Sequence, residues 1–87
     1  MKIKDGYILR EVAGNSIVIA VGQEAINFNA LITINETGSF LWKQLAEDKS
    51  REELLAAVLE EYEVDEAQAL KDIDQFLEKL QKENLLV

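Results

Sequence analysis

The side chains in this chain with the greatest capacity for chemistry are its carboxylates. They occur in close groups at 52–53, at 60–63, and at Asp72 and Asp74. Two carboxylates can act as general acid and base, or can hold a divalent cation, when they converge on one pocket. These groups fall mainly on helix faces opposite the apolar positions, which predicts that they are separated and hydrated.

Other groups that commonly carry catalysis are missing, because the 87 residues include no His and no Cys. This excludes an imidazole base, a thiolate nucleophile, a disulfide and a Cys/His zinc site. Gly38 lacks the second glycine and the lysine that a phosphate-binding loop requires. The sequence indicates no base that would make Tyr7 or Tyr62 catalytic. We expect no catalytic residue, no metal site and no cofactor, and an enzyme is the most distant hypothesis.

The charge of the chain is strongly negative and unevenly placed. Nine basic and seventeen acidic residues give a net charge of −8. Residues 1–35 hold three of each sign, so the whole excess lies in residues 36–87. Such a charge repels phosphate backbones and anionic lipid headgroups, which argues against a nucleic acid or a membrane as partner. No apolar run approaches the roughly 20 residues of a membrane span, and no signal peptide opens the chain, so we expect a cytoplasmic protein.

The first part of the chain predicts a small antiparallel sheet. β-Branched residues in 7–13 and 16–21 flank a Gly14-Asn15 turn, which is typical of a hairpin. A polar stretch at 22–29 separates this hairpin from a third apolar run at 30–34. Three strands leave at least one edge unpaired, and such an edge must be protected or used.

The remainder of the chain predicts three helices. Asn35 can cap the first, which should end near Asp48. Ser50 and Glu53 form a capping box that opens the second, and Asp65 precedes the third. Apolar residues at helical spacing define the expected buried stripes. They are Phe40, Leu41, Trp42 and Leu45 in the first helix, Leu54, Leu55, Val58, Leu59 and Tyr62 in the second, and Leu70, Ile73, Phe76, Leu77 and Leu80 in the third.

These elements predict one α+β domain over residues 1–87. A three-stranded antiparallel sheet (1–35) precedes a three-helix part (36–87), and an apolar tail follows at 85–87. The tight turn between the second and third helices resembles a helix-turn-helix. In a DNA-binding protein the third helix would enter the groove, but residues 65–83 hold three lysines against six acidic residues, a net of −3. DNA would repel this helix.

The remaining candidate for function is the open edge of the third strand. Its unpaired N–H and C=O groups can accept an extended peptide as an added strand. A helical wheel places Ala69 and Phe76 on one flank of the third helix, with Asp72 and Lys79 just beyond. That flank would form the wall of a peptide groove. The alternative, equally open at this point, is that Phe76 belongs to the core and that the tail shields the edge.

The order of several segments resembles the PqqD family. Residues 6–10 and 16–19 match its strands, and the stretch from Thr33 to Trp42 matches its Asn-x-Thr-Gly…Trp helix start. Segments at 52–55, 62–65 and 72–86 match the remaining pattern, so the resemblance covers nearly the whole chain. The departures are Asn84, where glycine is frequent, and the absence of a proline near the second strand.

The resemblance implies a domain of winged helix-turn-helix shape that is the recognition element for ribosomally made and post-translationally modified peptides. Such proteins hold the leader segment of a precursor peptide and present it to a modifying enzyme, such as a radical SAM protein, a cyclase or a leader protease, in pathways to pyrroloquinoline quinone, lasso or similar products. The leader would lie as an antiparallel strand beside the third strand and against the third helix. The implied peptide-binding residues are Ala30, Leu31, Ile32, Thr33 and Ile34 on the strand, and Asp72, Phe76 and Lys79 on the helix. A regulatory or structural module that binds only proteins is the alternative function.

Overall fold

Three short strands are followed along the chain by three helices. The computed structural model describes residues 1–12, 14–21 and 32–87. The strands are β1 (Tyr7–Val12), β2 (Asn15–Ala20) and β3 (Ile32–Ile34), and the helices are α1 (Glu36–Gln44), α2 (Arg51–Glu61) and α3 (Glu66–Lys82). The predicted α+β order is confirmed.

The described strands form one antiparallel sheet in the order β1-β2-β3. Gly14, with φ of 83°, lies in the hairpin connection, but Asn15, the second residue of the predicted turn, belongs to β2, where it pairs with Val12. In β2, Val18 is fully buried, and it pairs with Leu9 on one side and Ile32 on the other. These inward side chains form the layer against which the helices pack.

The third strand is described over fewer residues than predicted. Ile32 and Ile34 are buried and the intervening Thr33 is exposed, which is the period-two alternation of a half-buried strand. Ala30 and Leu31, the other residues of the predicted strand, lie outside the described residues, as does the polar stretch 22–29.

Helix α1 begins where the sequence predicted but ends earlier. The Asn35 side chain accepts a hydrogen bond from the Gly38 amide, as a cap should. The expectation that the helix reaches nearly to Asp48 is wrong, because its last residue is Gln44. The next carbonyl, that of Leu45, accepts from the Ile3 amide at 3.0 Å, so the N-terminal segment takes the bond that another helical turn would have used.

Helix α2 opens with the predicted capping box. The Ser50 hydroxyl accepts from the Glu53 amide, and the Glu53 carboxylate accepts from the Ser50 amide. Its buried stripe is narrower than predicted, since only Leu54 and Val58 are buried. Leu59 is 39% exposed, so its assignment to the buried stripe is wrong. Helix α2 packs along one side against the other helices and presents this residue to solvent.

Helix α3 supplies the largest part of the core. The Asp65 side chain caps it by accepting from the Gln68 amide. Its buried side chains are Ala69, Ile73, Phe76, Leu77 and Leu80, and of the predicted stripe only Leu70 is half-buried rather than buried. No helix within the described ranges is long and apolar enough to cross a membrane.

The end of α3 explains the residue at position 84. Asn84 has φ of 59°, its amide donates to the Gln81 carbonyl, and the Leu85 amide donates to the Leu80 carbonyl. These two bonds define a Schellman termination, in which glycine or asparagine occupies the left-handed position. The helix therefore ends there, and Leu85 turns into the core with no exposed surface.

The C-terminal tail pairs with the N-terminal segment. Leu86 forms an isolated antiparallel bridge with Ile3. The Lys4 amide donates to the Leu85 carbonyl and the Val87 amide donates to the Lys2 carbonyl, both at 2.8 Å. Within the described residues, these backbone bonds join the tail to residues 2–4. This pairing does not support the alternative in which the tail shields the edge of β3.

Candidate functional site

The backbone polar groups of Thr33 face away from the rest of the sheet. The Val21 amide donates to the Gly6 carbonyl at 2.7 Å, which fixes the phase of the β1–β2 ladder. Bonded and non-bonded pairs alternate in an antiparallel ladder, so Arg10 and Ile17 form a bonded pair. Ile17 therefore directs its backbone groups to β1. Thr33, which lies opposite Ile17, directs its own N–H and C=O to the outer edge.

A lysine side chain independently supports this orientation. The Lys79 ammonium group donates to the Thr33 carbonyl across 3.4 Å, from the side of the sheet edge. By the same alternation, Ile32 and Ile34 direct their backbone groups to β2 and their side chains into the core. Among the described residues of the predicted edge, Thr33 therefore directs its backbone groups outward, while Ile32 and Ile34 do not.

The edge of β3 borders a cavity against helix α3. Its volume is about 210 Å³. The end of β3 and the start of α1 form one wall, and α3 forms the other. The lining residues are Ile34, Asn35, Thr37, Gly38, Asp72, Gln75, Phe76 and Lys79. The three helix residues that the sequence predicted for the groove are thus brought together in it.

Phe76 belongs to both the core and the cavity. It is 7% exposed and packs within the main apolar cluster, so the interpretation of this residue as core holds. Its ring edge also lines the cavity, beside Ile34. The two interpretations that the sequence left as alternatives are therefore compatible for this side chain.

Gly38 allows the Phe76 ring to lie close to the start of α1. A Cβ atom at position 38 would lie 3.2 Å from the Ile34 Cβ, 3.2 Å from the Asn35 Oδ1 and 3.3 Å from the Phe76 Cδ1. These separations are shorter than the roughly 3.5–4.0 Å of relaxed carbon contacts. A glycine is therefore needed there for packing.

The carboxylates near this site are engaged with neutral or cationic partners rather than with each other. Asp72 accepts from the Gln68 side-chain amide at 2.9 Å. Asp74 accepts two bonds of 2.8 Å from Arg51 on α2. The guanidinium group holds the pKa of Asp74 below its ordinary value, because it donates hydrogen bonds to the ionised form. Within the described residues no three acidic side chains are grouped closely enough to hold a metal ion.

The tyrosine at the end of α2 has a packing role. Tyr62 meets Phe40 edge to face, with ring centroids 5.5 Å apart. Partial burial, followed by the nearby Glu36 and Glu61 carboxylates, raises the pKa of Tyr62. A raised pKa keeps the phenol protonated, which is opposite to what an activated tyrosine needs.

Sequence reasoning did not identify a second apolar depression, on the far border of the described sheet. Tyr7, Leu9, Trp42 and Ala46 contribute to it, and its volume is about 600 Å³. Trp42 is 8% exposed, so the prediction that it anchors the core is supported by its burial. The depression arises because β1 and α1 meet here, a juxtaposition that no spacing within the sequence contains.

A comparison with protein families identifies the group to which this sequence belongs. The family model described as Coenzyme PQQ synthesis protein D (PqqD) matches residues 17–86, which is most of the chain. The chain belongs to the PqqD family. The sequence resemblance to this family is therefore confirmed, and the match includes β3, α1 and α3, the three elements that line the cavity.

The fold of this PqqD-family chain recurs in a solved structure. The chain in "TbiB1 in Complex with the TbiA(beta) Leader Peptide" matches it with a TM-score of 0.75 and 28% sequence identity. The match covers 99% of this chain and 94% of that chain. A search of the curated proteins gives no significant match.

Proposed function

We propose that this chain binds the leader segment of a ribosomally synthesised precursor peptide by strand addition at β3. The observation that carries the proposal is the outward-facing backbone of Thr33 beside a cavity walled by α3. An extended peptide can exchange backbone hydrogen bonds with such an edge, while the neighbouring cavity accepts one of its side chains. Membership of the PqqD family and the likeness to TbiB1, solved with a leader peptide, support the same assignment.

In this proposal the site residues have different roles. Thr33 provides the backbone donor and acceptor, and Leu31, which lies outside the described residues, stays in the predicted set. Ile34 supplies the apolar floor together with Phe76, and Ile32 stays in the predicted set as the neighbouring strand residue. Asp72 and Lys79 form the charged rim on α3. Ala30 stays in the predicted set as a continuation of the strand.

The charge of α3 favours a peptide over a nucleic acid. Residues 65–83 hold three lysines against six acidic residues, and Asp74 faces the Arg51 side chain rather than solvent alone. A DNA-reading helix gains affinity by neutralising phosphates, which this surface does not do. The alternative of a regulatory winged-helix module has no comparable observation in its favour.

We propose further that the chain carries out no reaction itself. Residues 1–87 would act as one recognition unit that presents the bound peptide to a cytoplasmic modifying enzyme, such as a radical SAM protein, a cyclase or a leader protease. The packing of the Tyr62 ring against Phe40 supports this non-catalytic role. The separate partners of Asp72 and Asp74 support it as well.

The proposal can be tested by an amide NMR titration of the full chain. Suitable probes are synthetic peptides from short reading frames beside its gene, with the TbiA(beta) leader as a reference peptide. A bound leader should shift the amide signals of Thr33 and of the α3 residues around Phe76, and leave α2 amides near Glu60 unchanged. Binding that shifts only α2 or the β1 border would show that β3 is not the peptide site.

A further inference from the structure

The contacts between β3 and α3 occur in reverse order along the two elements. Lys79, near the end of α3, bonds to Thr33 in the middle of β3. Phe76, one turn earlier in the helix, packs beside Gly38, which follows β3 in the chain. Asp72, a further turn earlier, lines the same cavity. The groove therefore runs from Lys79 beside β3 to Asp72 beside the start of α1.

The two ends of this groove carry opposite charges. Lys79 is exposed, and its ammonium group donates to the Thr33 carbonyl across 3.4 Å. Asp72 is half-buried, and the Gln68 amide fixes one of its oxygens. The neutral side chain of Gln75 lines the space between them. Seven residues of helix separate the two charges, which corresponds to roughly 10 Å along the axis.

An added strand must replace the Lys79 contact. The carbonyl of Thr33 is the acceptor that a peptide N–H needs, and Lys79 occupies it in the free chain. A peptide amide at this carbonyl leaves the ammonium group at the rim, directly beside the new strand. A carboxylate on that strand can then pair with it, which gives a charge-assisted bond in place of the one lost.

The direction of the strand decides which peptide residue meets which charge. A strand antiparallel to β3 places its earlier residues beside Ile34 and Asn35, and its later residues toward Ile32. The earlier residues thus approach Asp72 and the later residues approach Lys79. Side chains on one face of a strand repeat about every 7 Å, so residues two and four apart, at about 7 and about 14 Å, bracket this distance.

We propose that Asp72 and Lys79 select leader peptides by the order of their charges, with a basic or hydrogen-bond-donating residue preceding an acidic one by two or four positions. This inference rests on the proposed strand addition at β3. It specifies which class of peptide the groove accepts, and it assigns the choice among peptides to two side chains. A peptide with the reverse order would bring its acidic residue to Asp72 and its basic residue to Lys79, and both contacts would repel.

Selection from a displayed library of random-sequence peptides tests this proposal on the full chain. Pools are selected in parallel against the wild type, Lys79→Glu, Lys79→Met and the control Lys71→Glu. Lys71 is an exposed α3 lysine outside the cavity lining, so its replacement changes the net charge equally. Peptides that shift the Thr33 amide in NMR spectra are kept, and their dissociation constants are measured by fluorescence anisotropy.

Wild-type and Lys71→Glu pools should both enrich an acidic residue after a basic or donating one, and the Lys79→Glu pool should replace the acidic residue by a basic one. Lys79→Met should weaken binding of wild-type-selected peptides about two- to fivefold, the range for an exposed ion pair. An unchanged acidic preference in the Lys79→Glu pool, or the opposite charge order, overturns the charge selection while strand addition stands. If no peptide shifts the Thr33 amide, strand addition itself fails, and the charge selection with it.

Discussion

Replacing Thr33 with proline separates peptide binding from folding. The Thr33 N–H faces the open edge and belongs to a non-bonded pair with Ile17, so proline removes no bond to β2. Proline is tolerated on edge strands when the missing N–H faces outward. Folding should therefore be affected little, while an added strand loses the donor that its carbonyl requires.

The size of the binding defect follows from one hydrogen bond. A neutral backbone bond contributes about 0.5–1.5 kcal/mol net, which corresponds to roughly a two- to tenfold change in Kd. The pyrrolidine ring also occupies the position that the peptide carbonyl must approach, so we expect a loss at or above the upper end of this range. Thr33→Val keeps the N–H and has a similar volume, and should bind as the wild type does.

Two measurements test this prediction. Calorimetric titration with a peptide that shifts the Thr33 amide gives the Kd, and thermal unfolding followed by circular dichroism gives the Tm. Ile34→Pro serves as the opposite control, because its N–H bonds to β2 and its loss should lower the Tm. Wild-type affinity in a folded Thr33→Pro variant would refute pairing at this residue. A large fall in the Tm of Thr33→Pro would instead show that the Thr33 amide bonds inside the sheet.

Two further variants test the cavity wall and the link between α2 and α3. Gly38→Val should destabilise the fold by about 1–3 kcal/mol through overpacking against Phe76 and should also weaken peptide binding, which denaturant unfolding and calorimetry can measure. Asp74→Asn should reduce the acid sensitivity of the Tm. The pKa of Asp74 is lowered in the folded chain by Arg51, so the pair stabilises the fold above the ordinary Asp value of 3.8 and this stabilisation is lost as the pH falls below it. If the Tm of Asp74→Asn falls at low pH as steeply as that of the wild type, the Arg51–Asp74 pair does not contribute to stability.

Local signals in the sequence predicted the beginnings of the elements well. Asn35, Ser50 and Asp65 each cap a helix with the bonds that their spacing indicates, because capping depends on residues three apart. The boundaries that failed depend on distant chain segments. Helix α1 ends at Gln44 because residue 3 takes the next carbonyl, and no pattern near position 44 contains that information.

The candidate site also combines features that local sequence signals predict with features that depend on distant chain segments. Helical periodicity was enough to place Asp72, Phe76 and Lys79 on one flank of α3, since that geometry repeats every 3.6 residues. Periodicity gave no means of choosing among the residues of β3. Their different roles depend on the phase of the sheet hydrogen bonds, which the pairing of Gly6 with Val21 sets from two strands away.

The sequence by itself determined the order of the elements, the acidic helical part and the absence of imidazole and thiol chemistry, because these follow from composition and short-range spacing. The tertiary structure decided that the Thr33 backbone faces outward, that its carbonyl meets Lys79, and that Gly38 admits the Phe76 ring. Those contacts join Thr33 to Lys79 across 46 positions of the chain and Gly38 to Phe76 across 38. Contacts over such separations are fixed by packing of the whole core, which no local pattern encodes.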